Sequence, residues 1–157
     1  MKTLIITRPG KCEKHGQLND ECRERMQLLA DRIHPYFATH MRRSLICSPA
    51  VTVVTSTVVL RSLLKMYLFV PCPELWINAE HPQDNHGAFE FLREKSAATD
   101  LLIVLTHHRY VATLSHLFCQ TLGIEFDSLD SVDAASQSLG IAVSYDADSE
   151  PSVTVLE

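Results

Sequence analysis

Three side chains able to handle an anion or a proton stand directly after short apolar runs. Arg8 closes Leu4-Ile5-Ile6-Thr7 and is followed by Pro9-Gly10; Ser48 closes Leu45-Ile46-Cys47 and is followed by Pro49; His107 follows Leu101-Leu102-Ile103-Val104-Leu105-Thr106. Each run reads as a buried strand that stops at a turn or loop. In an open α/β sheet, chemistry gathers beyond the carboxyl ends of the strands. The three residues are therefore expected on one sheet edge: a guanidinium suited to an anion, a hydroxyl, and an imidazole that can exchange a proton near neutral pH. Taken alone, Arg8 reads first as a solvated strand-end arginine, because most arginines are exposed. The repetition of the pattern at three strand ends is what marks a candidate site.

The elements between these ends must bring them together. Asn19 followed by Asp20-Glu21 reads as a helix start, with a capping side chain and two acids in the turn where the helix dipole favours negative charge. Met26, Leu29, Ala30 and Ile33 continue that helix, which should end before Pro35. Residues 51 to 59 are β-branched at eight of nine positions, so local propensity favours a strand. A strand continued from Leu45-Ile46-Cys47 would enclose Pro49, which cannot donate to a ladder, so a helix is the more economical reading, with Ser48 as cap and Pro49 at its first position. It would run to about Lys65. A short strand from Tyr67 to Val70, a Pro-rich stretch through Pro71, Pro73 and Pro82, and a helix from Gln83 to Ala97 follow. The run 101–105 is the clearest central strand. A helix from Tyr110 to Leu122, stopped by Gly123, and a closing hairpin of Ser138 to Tyr145 with Ser152 to Leu156 complete the chain.

Alternation of strand and helix without a composition break predicts one α/β domain over residues 1–157, a three-layer sandwich with a mostly parallel central sheet, helices on both faces and a C-terminal hairpin. At 157 residues such a chain buries about 70% of the surface its unfolded form exposes. Trp76 and Tyr67 are assigned to the core. A net charge of −5 disfavours nucleic acid and anionic membranes as partners. Five scattered cysteines without a Cys-x-x-Cys pair fit reduced thiols, and neither a signal peptide nor a membrane span is evident, so a cytoplasmic location is expected. The oligomeric state is not fixed by sequence.

The order of the pieces resembles the histidine phosphatase superfamily, also called phosphoglycerate mutase-like, and in size the small bacterial phosphohistidine phosphatases. In that family the first strand ends in Arg-His-Gly, the next helix opens with Leu-Thr-x-x-Gly-x-x-Gln-Ala, the second strand ends in Ser-Pro-x-x-Arg-Ala, and a later strand ends in a second histidine. The matching segments are Arg8-Pro9-Gly10, Leu18-Asn19-Asp20-Glu21-Cys22 leading to Arg25-Met26, Ser48-Pro49-Ala50-Val51-Thr52-Val53, and Val104-Leu105-Thr106-His107. The resemblance implies a phosphate pocket at Arg8, Ser48, Thr52 and His107, with His107 as acid or base, and Arg109, two residues on, is a further phosphate-binding candidate.

Two departures are chemical. The family's nucleophilic histidine position holds Pro9, whose nitrogen is an amide within a ring and has no lone pair to offer phosphorus. The second phosphate-holding arginine falls at Thr52, a hydroxyl without charge. Of two arginines and two histidines in the family pocket, Arg8 and His107 remain. Stand-ins are sparse. Arg109 at the start of a helix could swing toward the pocket or point to solvent; His15 lies in the loop after Arg8; Glu80, His81 and Asp84 occupy the region of the missing general acid.

Two functional classes follow. One is a catalytically impaired member of the fold that binds a phosphorylated small molecule or a phosphoprotein at the remnant pocket. The other is a phosphatase acting on a phosphomonoester or phosphohistidine, with His107 as acid or base and water attacking directly, since positioning and charge stabilisation act without a covalent nucleophile. A third reading, a metal held by Cys12-x-x-His15 or by His81, His86, His107 and His108, has only pairs where zinc needs three or four converging ligands. No cofactor and no metal are implied.

Overall fold

The computed structural model describes residues 1–9, 18–75, 86–124 and 138–157, and for His86, His108 and Arg109 the backbone alone. A central sheet is built from β1 (Lys2–Thr7), β2 (Arg43–Cys47), β3 (Val70–Pro71), β4 (Leu101–Leu105), β5 (Gly140–Tyr145) and β6 (Ser152–Leu156), in the order β3-β2-β4-β1-β5-β6. β3, β2, β4 and β1 run parallel; β5 and β6 are antiparallel to their neighbours, forming the expected C-terminal hairpin.

Helices α1 (Asp20–Ile33) and α2 (Val51–Leu64) cover one face, and α3 (His86–Ala98) and α4 (His108–Thr121) cover the other. The alternation of the strands sorts the core in two. Ile5, Leu45, Cys47, Ile103 and Leu105 pack with Met26, Leu29, Leu60 and Leu64 of α1 and α2. Leu4, Ile6, Ile46, Leu102 and Val104 pack with Leu92, Val111, Leu114 and Phe118 of α3 and α4. Strands buried on both sides read as unbroken apolar runs for this reason.

Helix α1 begins as its sequence dictates: the Asn19 side chain accepts the Cys22 N–H at 2.8 Å, and Cys22, Met26, Leu29, Ala30 and Ile33 form its buried stripe. A 3-10 turn (His34–Ala38) takes over where Pro35 stands. Residues 51–64 are helical despite their β-branching. The hydroxyls of Thr55, Ser56 and Thr57 donate to the carbonyls of Val51, Thr52 and Val53 at 2.8, 3.1 and 2.7 Å, which holds their polar atoms within the helix. Packing of Val53, Leu60 and Leu64 into the core overrides the local preference.

Four expectations are corrected. Ser48 does not cap α2: the helix starts at Val51 with Ala50 as cap residue, and Pro49 precedes it. The Ser48 N–H donates to Leu105 O at 2.9 Å, extending the sheet by one residue, and the turn into the helix falls at Ala50 (φ −60°, ψ 137°), two residues too late for the Ser48 hydroxyl to act as cap. The strand expected from Tyr67 to Val70 shrinks to Val70–Pro71, because α2 ends in a left-handed turn at Lys65 (φ 55°) and Pro71 cannot donate to a longer ladder. Tyr67, assigned to the core, is 93% exposed in the loop that follows that turn; Trp76 lies outside the described residues. Helix α4 starts at His108 rather than Tyr110.

Gly140 starts β5 with φ 149°, and a Cβ there would stand 2.3 Å from Ile6 O and 2.9 Å from Thr7 Cα. No side chain fits against β1 at this point. Gly140→Ala is expected to lower unfolding free energy by about 3 kcal/mol, the sum of backbone strain and overpacking. Urea denaturation followed by circular dichroism checks this; a loss under about 1 kcal/mol would mean that β5 yields without disturbing β1.

Candidate functional site

Backbone hydrogen bonds fix the geometry of the sheet edge. Thr7 and Cys47 are both in register with Leu105 of the strand between them, so their successors Arg8, Ser48 and Thr106 stand in one row across three adjacent strands. The row continues past the strands: Ser48 N–H donates to Leu105 O at 2.9 Å, and Thr106 N–H donates to Thr7 O at 2.9 Å. With strands about 4.8 Å apart, Arg8 and Ser48 start about 10 Å from each other, a span that suits one small anion between them.

Two helices begin at this row. Ala50, the cap residue of α2, and His107, the cap residue of α4, make no side-chain capping bond, unlike Asn19 at α1. Their first-turn N–H groups and dipoles therefore face the row with positive polarity. The hydroxyls of Ser48 and Thr106 are 1% and 0% exposed at the residue level, and neither has a hydrogen-bond partner among the described residues. A buried hydroxyl left so costs about 1–3 kcal/mol. Groups of this kind collect where a fold keeps donors ready for a ligand.

The sequence-assigned residues fall as follows. Arg8 is half-buried, and that burial lowers its pKa from the usual arginine value. Pro9, also half-buried, follows it. Thr52 is half-buried in the first turn of α2. The His107 ring meets the Tyr110 ring edge to face, with centroids 5.6 Å apart. Arg109 lies in the first turn of α4, its side chain outside the described atoms, as are His15, Glu80, His81 and Asp84. Arg8, Ser48 and His107 thus share the expected edge, and Thr52 starts the helix beside it. Of the proposed metal ligands, only His107 has a described side chain; Cys12, His15 and His81 lie outside the described residues, with no group of three His, Cys, Asp or Glu able to hold a metal among those described.

Two further groups belong to the edge. Thr106 enters by register. Arg25 enters from α1, half-buried, with Nη2 donating to Ser138 O at 2.6 Å. Ser138 leads into β5, and the Thr7 hydroxyl donates to the next carbonyl, that of Leu139. Arg25 is thereby anchored at the end of β1. Burial and then repulsion by Arg8 push its pKa down to about 10, with Glu21 offsetting part of the effect. The sequence carried a signal for it: Arg25 is three residues after Cys22 and four before Leu29, so a cation sits at the margin of a buried stripe.

The edge offers no thiolate among the described residues. Burial raises the thiol pKa of Cys47, below Ser48, and of Cys72, and pushes that of Cys119 up to about 12. What remains among the described groups of the edge is arginine, hydroxyls and helix starts, all of them suited to an anion.

No protein-family model and no curated protein sequence matches the chain. Solved structures do. The phosphoglycerate mutase of Plasmodium falciparum aligns with TM-score 0.67 over 98% of this chain and 88% of its own, at 11% identity. The fold is phosphoglycerate mutase-like. The mycobacterial glucosyl-3-phosphoglycerate phosphatase aligns with TM-score 0.63 over 99% and 98% of the two chains at 11% identity. A mutant phosphoserine phosphatase from Entamoeba histolytica, solved with phosphoserine, aligns with TM-score 0.56 over 98% and 95% at 11% identity. At these identities the phosphoglycerate mutase-like likeness concerns the architecture. No described helix is long and apolar enough to cross a membrane.

Ser48→Ala and Thr106→Val each remove a buried hydroxyl that has no partner among the described residues. Both variants are expected to hold or raise the melting temperature of the unliganded protein, because the desolvation cost disappears. Both should also shrink the rise in melting temperature produced by inorganic phosphate. Differential scanning fluorimetry with and without phosphate reads both effects; a marked loss of unliganded stability would show that the hydroxyls are structural.

Proposed function

We propose that this chain is a degenerate histidine-phosphatase-fold protein, impaired in covalent catalysis, that binds a phosphorylated small molecule or phosphoprotein at the edge formed by Arg8, Ser48, Thr52, His107 and Arg109. One observation carries the reading: Pro9 directly follows the row-forming Arg8, where the resemblance places the attacking imidazole. A phosphoryl group bound there meets a cation, hydroxyl donors and helix N-termini, but no imidazole on residue 9. The phosphorylated ligands and substrates of the structural neighbours support a phosphate-type ligand. Binding is served by the same charge complementarity that catalysis uses, so loss of the nucleophile leaves it in place.

Hydrolysis of p-nitrophenyl phosphate by the unmodified protein is expected to lie near background. Pro9→His alone should gain little, and Pro9→His with Thr52→Arg should gain about 10²-fold or more by restoring nucleophile and charge together. Enzyme-like turnover by the unmodified protein, abolished in His107→Ala, would overturn the impaired reading in favour of direct attack by water with His107 as acid or base.

A further inference from the structure

We infer that Arg25 is a phosphate-binding residue, a second guanidinium brought to the site from α1 rather than from α2. The inference rests on the anion-binding reading above and names a group that the reading does not require. Four observations converge on it. Thr52 leaves the start of α2 without a cation, since among the described residues the first turn of that helix holds Val51, Thr52 and Val53. Arg25 is held at the opposite flank of Arg8 by the 2.6 Å bond from Nη2 to Ser138 O, at the mouth of β5. Its Nε is buried and has no hydrogen-bond partner among the described residues. Arg8 also sits near enough to disfavour the charge on Arg25, with Glu21 offsetting part of the effect.

Two guanidinium groups kept close and partly dry favour an anion between them, because a charge-assisted hydrogen bond to each strengthens as water is excluded. The same arrangement sets the ligand class. A dianionic phosphomonoester or inorganic phosphate presents its oxygens on a tetrahedron and accepts from two differently oriented planar forks at once, which the two coplanar oxygens of a carboxylate serve less well. Affinity for a phosphomonoester should therefore rise with pH through about 6, as the second phosphate proton leaves.

Inorganic phosphate, titrated calorimetrically at low ionic strength into the parent protein and into R25Q, R25K and R8M, tests the assignment. R25Q is expected to weaken phosphate binding by about 10- to 100-fold, and R25K by less, because lysine keeps the charge but loses the fork. The melting temperature of unliganded R25Q, which loses both the bond to Ser138 O and the repulsion by Arg8, is read alongside so that a folding defect is told apart from lost binding. Adding Thr52→Arg to R25Q should recover part of the affinity by returning a cation from the other side. If R8M loses binding while R25Q and R25K stay within twofold of the parent, Arg25 is not a ligand and the anion-site reading stands without it. If the parent binds no phosphate at millimolar concentration, both fall. If R25Q proves unfolded, R25K with the salt dependence of its affinity decides in its place, and an unchanged affinity overturns the assignment.

Discussion

The structure depends on two backbone hydrogen bonds that continue the sheet beyond its strands. Ser48 N–H to Leu105 O and Thr106 N–H to Thr7 O carry the parallel ladder one residue past β2 and β4. Strand register already sets Thr7, Leu105 and Cys47 level, and these bonds carry that row one residue further, to Arg8, Thr106 and Ser48. His107 follows directly, and α2 and α4 begin within three residues of the row.

Burial and the neighbouring Arg8 both disfavour the charge on Arg25, and among the described residues the buried hydroxyls of Ser48 and Thr106 have no hydrogen-bond partner. Folds tolerate such costs at sites, where the rest of the core over-determines the geometry. Here the over-determination is visible in β1, which is hydrogen-bonded on both sides by β4 and β5 along its whole length.

Much of the architecture was legible because the strands are buried on both faces: 4–6, 45–47 and 101–105 are apolar without interruption, and no alternative reading competes. Asn19 was legible because its cap is made by adjacent residues. The start of α2 was misread by two residues, since Ser48 still pairs with Leu105, 57 positions away, and the turn into the helix falls at Ala50, which has no capping side chain to mark it. Tyr67 was misplaced because aromatic character says nothing about which side of a loop it occupies. Strand-end residues of the site could be read from run boundaries. Arg25 could not be assigned in the same way, because its position on a helix margin acquires meaning only once β5 brings Ser138 across to meet it.

Helix α2 carries a consequence for the folding of the whole chain. Its β-branched sequence has little helical content to offer in isolation, so the segment that supports Thr52 becomes helical only as α1 and the sheet close over Val53, Leu60 and Leu64. Until then its first ten residues, 51–60, are an uncharged stretch well suited to pairing with copies of itself. Damage to the α1 surface that faces it would therefore surface first as self-association during synthesis, before any defect in a ligand-bound state could be seen.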